Sequence, residues 1–166
     1  MANSVRAIPE GYHTITPALT CKGAAKAIDF YKQAFGAKEI SRMEMPGGMI
    51  GHAELQIGDS KFFVSDEFPG MSAGPDARGK SATPSSYLFL YTADVDTVYN
   101  KAVSAGCTAT MPLQNQFWGD RYGKLSDPFG HHWGLAQHVE DVSPEEMERR
   151  GKEWHANMAK SAGAQN

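Results

Sequence analysis

One order of elements is written twice in this chain, and no other feature restricts the fold as strongly. In the first half, residues 11–19 are rich in Thr and Ile and alternate imperfectly, which reads as a strand. After Gly23, the residues Ala24, Ala27, Ile28, Tyr31 and Phe35 recur on one face of a helix, and Gly36 stops it. Three short strands follow at 38–45, 51–57 and 60–65, with Pro46-Gly47-Gly48 and Gly58-Asp59 as the turns between them. The second half repeats the order. Residues 86–92 read as a strand, Asp94 caps a helix whose apolar face is Val95, Val98, Tyr99 and Ala102, and Gly106 ends it. Strands at 108–112, 121–126 and 132–138 complete the set, the last two joined by a turn at Asp127-Pro128-Phe129-Gly130. A βαβββ order present twice is an internal duplication. The expectation is one α+β domain over residues 11–141, with module 1 at about 11–67 and module 2 at about 86–141.

Between the modules, residues 68–85 are full of Gly, Pro and Ser, a linker long enough to fold over a pocket as a lid. It contains Gly74-Pro75-Asp76-Ala77-Arg78-Gly79-Lys80-Ser81, which fits the phosphate-loop pattern letter for letter. That loop works because a strand runs into it and a helix runs out, so that the helix N-terminus meets the phosphates. Here a further Pro-Ser-Ser stretch and a strand follow instead, so the segment reads as linker. Ser143-Pro144-Glu145-Glu146 is a capping box that opens a helix over 143–160. Its narrow stripe of Met147, Gly151, Trp154 and Met158 packs on its own domain or, in the rival reading, reaches a partner subunit. Residues 1–10 and 161–166 are expected to be flexible ends.

A net charge of −3 with no basic cluster argues against nucleic acid as a partner. Cys21 and Cys107 form no CxxC pair, so neither a redox motif nor a zinc knuckle is indicated. No apolar run approaches the ~20 residues of a membrane span, and the polar start has no signal-peptide core. The cytoplasm is the expected location.

Three stretches carry a resemblance. Ala27-Ile28-Asp29-Phe30-Tyr31 with Ala34-Phe35-Gly36-Ala37 resembles the first helix of the glyoxalase/bleomycin-resistance/dioxygenase family, the vicinal oxygen chelate superfamily. Asp127-Pro128-Phe129-Gly130 before a final strand resembles that family's last hairpin. Phe117-Trp118-Gly119-Asp120-Arg121-Tyr122-Gly123 resembles its PhnB-like subgroup. The resemblance implies two βαβββ modules whose eight strands form an open, barrel-like mixed sheet, followed here by the C-terminal helix. It also implies a pocket in which the family's enzymes hold a divalent metal, with one ligand from the first strand and one from the last strand of each module. Other members carry no metal and bind a drug, so the fold alone does not fix the activity.

Residue by residue, that metal set thins out. A Glu stands four positions after the turn Gly in metal-dependent relatives; here the position is Gly134, which has no ligand atom. The first strand of module 2 offers Tyr87 between Ser86 and Leu88. The last strand of module 1 offers Phe63, Val64 or Ser65, with Asp66 just beyond it. The first strand of module 1 aligns at Thr16, with His13 three residues earlier and so turned to the opposite face. His13, His52 and Glu54 are the remaining weak metal candidates. No cofactor is expected, and a divalent metal only in a nonstandard site.

The aromatic content points elsewhere. If Tyr87 faces inward, so do Phe89 and Tyr91 by alternation, and Trp118 and Tyr122 lie close by in sequence. Such walls suit flat or partly apolar ligands. Arg121 would grip an anionic group, unless it forms a structural ion pair with Asp120 or Asp127. His52 and Glu54 share a strand face and form either a polar pocket wall or a solvated one. The first expectation is therefore a binding protein for a small aromatic or hydrophobic molecule, using Tyr87, Phe89, Trp118, Arg121, Tyr122, His52 and Glu54, and pairing as a homodimer. The rivals are a metal-dependent lyase, isomerase or dioxygenase of the same superfamily, and an interaction protein that uses the C-terminal helix.

Overall fold

The structure is a computed structural model that describes residues 6–68 and 86–163. The linker, its phosphate-loop-like segment and any role as a lid lie outside the described residues. Eleven elements follow one another: β1 (Ala18–Cys21), α1 (Ala24–Phe35), β2 (Lys38–Met45), β3 (Met49–Ile57), β4 (Ser60–Asp66), β5 (Leu88–Tyr91), α2 (Val95–Ala105), β6 (Thr108–Asn115), β7 (Asp120–Ser126), β8 (His132–His138) and α3 (Pro144–Gly163). The duplication is plain in the strand orders, β1-β4-β3-β2 in one sheet and β5-β8-β7-β6 in the other. In each, the first strand lies parallel to the last and the rest are antiparallel. The eight strands form two separate four-stranded sheets, not closed into a barrel.

Each helix forms where its apolar spacing places it and buries that face. Ala24, Ala27, Ile28, Tyr31, Ala34 and Phe35 of α1 are buried, as are Val95, Tyr99 and Ala102 of α2. Gly36 and Gly106 end the helices at φ of 68° and 125°, a region that costs an L side chain strain and glycine little. The Asp94 carboxylate accepts the Thr97 N–H at 3.0 Å, as an N-cap should. The helices contact each other as well as their own sheets. Both sheets therefore turn their helix-side faces to one core, where Phe35 meets Trp133 at 4.4 Å between ring centroids. Burying such rings is worth about 1.5–3 kcal/mol each. The opposite face of each sheet is left open.

Two buried carboxylates tie this core together. Asp66 accepts the N–H groups of Gly23, Ala24 and Ile50 at 3.0, 2.8 and 2.6 Å, joining the start of α1 to β3. Asp127 accepts from the Tyr31 hydroxyl and the Trp133 indole N–H, both at 2.9 Å, and from the Phe129 and His131 N–H groups. It thereby joins α1 of module 1 to the last hairpin of module 2.

Several strand boundaries differ from those expected. β1 starts at Ala18 instead of residue 11, because Pro17 has no N–H to give a ladder. The segment before it is held by Tyr12, whose ring lies 5.9 Å from Phe63. His13 and Thr16 thus precede the strand, and the alternation argument for His13 does not apply. Asp66 is the last residue of β4, within the strand instead of beyond it. β6 runs on past Pro112 to Asn115, which an edge strand with shifted register permits. α3 continues to Gly163, past residue 160. It touches its domain through Arg150, paired with Glu140 at 2.7 and 2.8 Å, and through Trp154, whose ring lies 5.8 Å from Phe117. The Met158 side chain lies outside the described residues. Among the described residues, no helix is long and apolar enough to cross a membrane.

Candidate functional site

The open face of module 2 is a rack of aromatic rings. β5 pairs with β8 so that Phe89 lies beside Gly134 and Tyr91 beside Ala136, and β7 places Tyr122 across from Ala136. Alternation sends Tyr87, Phe89, Tyr91, Tyr122 and Gly134 to this face, and Leu88, Leu90, Leu125 and Trp133 to the core. Phe89 stacks on Tyr122 with ring planes 10° apart and centroids 5.3 Å apart, and Tyr91 lies 4.9 Å from Phe89. Tyr87, Phe89 and Tyr91 are 48%, 44% and 60% exposed, far more than rings of a closed core. Trp118 joins the group at 6.0 Å from Tyr122.

A buried carboxylate sets one end of the rack. Asp120 accepts from the Tyr91 hydroxyl at 2.9 Å and from the Trp118 indole N–H at 3.1 Å, fixing the polar edges of two rings. Its other oxygen bonds His138 Nδ1 at 2.9 Å, and His138 Nε2 reaches Asp141 at 2.9 Å. The Asp141 and then the Asp120 hydrogen bonds raise the His138 pKa, and the Asp120 bond raises that of Tyr91. Gly119, at φ 95°, turns the chain between Trp118 and Asp120 so that its carbonyl takes the Val139 and Glu140 N–H groups. This explains the Trp-Gly-Asp run. Alternation had pointed to Tyr91, but Asp120 as its partner is visible only in the fold.

The position of the superfamily's last-strand ligand is filled by this rack. A Cβ on Gly134 would meet Cε2 of Tyr122 and Cε2 of Tyr87 at 3.0 Å each, and the Tyr122 hydroxyl at 3.1 Å. A glutamate fits there only if the rings shift. Among the described residues, no three His, Cys, Asp or Glu side chains converge as a metal site would require. The residues present therefore do not fit a metal at the superfamily position.

The other candidates are placed elsewhere. His52 and Glu54 share the open face of module 1, with Phe63 4.7 Å from the His52 ring. Loss of solvent, and then a hydrogen bond to Glu54, push the Tyr12 phenol up to about 12. Arg121 is not on the aromatic face. It points to the helix side and grips Asp96 of α2 in a bidentate pair at 2.6 and 2.7 Å, with Asn115 at 3.4 Å. Neither Asp120 nor Asp127 is its partner. His13 lines a cleft of about 860 Å³ together with residues 57–62, β5, Phe35, Val98 and Trp133. Cys21 sits 3.6 Å from His131 Nε2, yet burial pushes its thiol up to about 12, so it is no activated nucleophile.

The sequence model of the glyoxalase/bleomycin resistance protein/dioxygenase superfamily matches residues 13–135. The chain belongs to that superfamily. As a superfamily member it is 41% identical over 140 residues to an uncharacterized protein of Mycobacterium tuberculosis, an alignment covering 81% of this chain and 79% of the other. It is also 30% identical over 131 residues to an Arabidopsis thaliana protein, covering 74% and 76%. Among solved structures, TioX from Micromonospora aligns over 79% of this chain and all of its own, with a TM-score of 0.60 and 23% identity. A PhnB protein from Bacillus cereus aligns over 75% and 99%, with a TM-score of 0.59 and 22% identity. At those identities the likeness shows the superfamily fold, and the chemistry has to come from the residues.

Proposed function

We propose that this superfamily member binds a flat aromatic or hydrophobic small molecule on the open face of module 2, without a metal at the superfamily position. The observation that carries the reading is the ring rack around Gly134. Three exposed rings, a fourth stacked beneath and an indole at the end form a surface that water leaves at a gain of about 25 cal/mol per Å² covered. A face this apolar is uncommon on an isolated soluble chain. A homodimer provides the cover, the open face of module 1 with His52 and Glu54 forming the polar wall opposite the aromatic wall of the other protomer. Nucleic acid and membrane play no part in this reading.

The test joins mass spectrometry of the native complex with metal analysis and titration by naphthalene, followed through quenching of Trp118 fluorescence. Naphthalene is expected to bind, and Phe89→Ala is expected to weaken it about 3- to 10-fold, the worth of one stacked ring. Stoichiometric metal lost on replacing His52 and Glu54, with no aromatic binding, overturns the reading.

A further inference from the structure

A lysine stands at the edge of the aromatic face, and its surroundings leave its charge unmatched. β7 pairs with β8 so that Lys124 lies opposite Gly134, and alternation along β7 puts it on the same face as Tyr122. Its ammonium stands 5.3 Å from the Tyr87 ring centroid, within reach of a cation–π attraction. Across the two ladders Lys124 meets Gly134 on β8 and Met111 on β6, and along its own strand the same-face neighbours are Tyr122 and Ser126. None of these four carries a charge. Arg121, three residues earlier, is paired with Asp96, whereas among the described residues Lys124 forms no ion pair. His132, opposite Ser126, stands diagonal to Lys124 at about 7–8 Å and brings an N–H donor to the same end. The far end of the face has the opposite sign. Asp120 lies about 13 Å from Lys124 along β7, and Asp120 and Asp141 flank His138, two carboxylates against at most one imidazolium. An anion is thus drawn to the Tyr87 end and repelled from the Tyr91 end.

We propose that the face takes a flat aromatic acid, its rings over Phe89 and its carboxylate on the Lys124 ammonium. This rests on the reading of the aromatic face and sharpens it to a ligand class, planar aromatic carboxylates. The sheet register sets the span. Phe89 pairs with Gly134 and Gly134 with Lys124, so the three form one row across β5, β8 and β7. At the usual strand spacing that row is about 10 Å from Phe89 to Lys124, the length of a two-ring acid. The rings beside Lys124 keep water from one side of the pair, which strengthens the attraction over that of a lysine surrounded by solvent.

Two probes of nearly the same shape test the anion site. 2-Naphthoate carries a charge, and 2-naphthamide carries none. Ligand-observed NMR titration at low ionic strength gives both affinities. The native protein is expected to prefer the naphthoate about 3- to 5-fold, the worth of one ion pair at a surface, and the preference is expected to shrink as salt is added. Lys124→Gln is expected to erase the preference, Lys124→Glu to reverse it and Lys124→Arg to keep it. Lys101→Glu, at an exposed position of α2, changes the net charge as much as Lys124→Glu does and is expected to keep the preference. If both probes bind the native protein equally, if Lys124→Gln keeps the preference, or if Lys101→Glu removes it as fully as Lys124→Glu, the anion site is overturned and the aromatic-face reading survives. If neither probe binds and naphthalene does not bind either, both fall together.

Discussion

The two modules share a scaffold and differ in the face they leave open. In both, a side chain at the end of the last strand ties down the start of the helix: Asp66 in module 1, and Gln137, which accepts the Val95 N–H at 3.2 Å, in module 2. In both, six residues separate matching positions of the first strand and the helix start, Ala18 to Ala24 and Phe89 to Val95, and these strand positions pair with Phe63 and Gly134. The open faces, however, have parted. Module 1 presents His52 and Glu54 around Phe63, and module 2 presents stacked rings around a glycine. The helix side is constrained by a shared core, whose packing tolerates little change. The open side answers only to what lies against it, and there a duplicated unit is free to specialise.

The sharpest way to break the scaffold equivalence is at the helix starts. Asp66→Ala strands two buried N–H groups and a third at the exposed Gly23 and is expected to cost about 3 kcal/mol, whereas Gln137→Ala strands one part-buried group and is expected to cost about 1 kcal/mol. Urea unfolding of both variants measures the ratio. Equal costs would mean that the two ties do different work from the matched role assigned to them. Next in size is Gly134→Glu, which restores the superfamily's residue. Its Cβ alone collides with two rings, one of them buried, so a loss of about 1–3 kcal/mol is expected, with altered near-ultraviolet circular dichroism and no metal acquired. A stable variant that takes up a divalent ion would show that the rings yield readily and that the face is less fixed than its stacking implies.

A smaller effect separates the open faces themselves. Phe89 and Phe63 occupy adjoining positions of the repeated pattern, one in the first strand of its module and one in the last. Phe89→Ala removes a ring stacked within the rack, whereas Phe63→Ala removes one flanked by His52 and Tyr12. Binding of naphthalene is expected to fall about 3- to 10-fold in the first variant and less than half as much in the second. Equal losses would favour a ligand held between both faces across the proposed dimer.

Much of the fold was legible in the sequence because it rests on local chemistry. The helix faces follow a 3.6-residue spacing, and Gly36 and Gly106 mark their ends, so α1, α2, β2 and β8 fall where the residues place them. The site was less legible because its contacts are long-range. Phe89 and Tyr91 followed from Tyr87 by alternation and Tyr122 only from its nearness in sequence, and alternation counted one residue back from Tyr122 sends Arg121 to the helix side. Sequence adjacency had drawn Arg121 toward the rings; its partner Asp96, 25 residues upstream, is adjacent only in space. β1 failed for a similar reason. Thr and Ile near residue 15 have the composition of a strand, but Pro17 prevents a ladder, and only the pairing with β4 shows where it starts.

The smallest differences between the modules are electrostatic, and they have opposite signs. In module 1 the Glu39 carboxyl is held low, chiefly by its hydrogen bond from Arg42, with Lys32 adding to it. A depressed carboxyl stabilises the fold above its unfolded pKa of about 4.3, and that contribution is lost as pH falls through the lower folded value. Asp96 with Arg121 gives module 2 the same acid-side dependence. Module 2 also has His138, raised by Asp141 first and then by Asp120. Its contribution is complete below the unfolded histidine pKa of about 6.5 and is lost as pH rises through the raised folded value. Replacing Glu39 by Gln should therefore flatten the acid limb of Tm against pH, and replacing His138 by Gln should flatten only the neutral-to-alkaline limb. Circular-dichroism melts from pH 3 to 9 separate the two. An His138→Gln profile parallel to that of the native protein above neutrality would mean that the Asp120–His138–Asp141 chain does not persist in solution, and with it would go the anchor that fixes Tyr91 at the end of the rack.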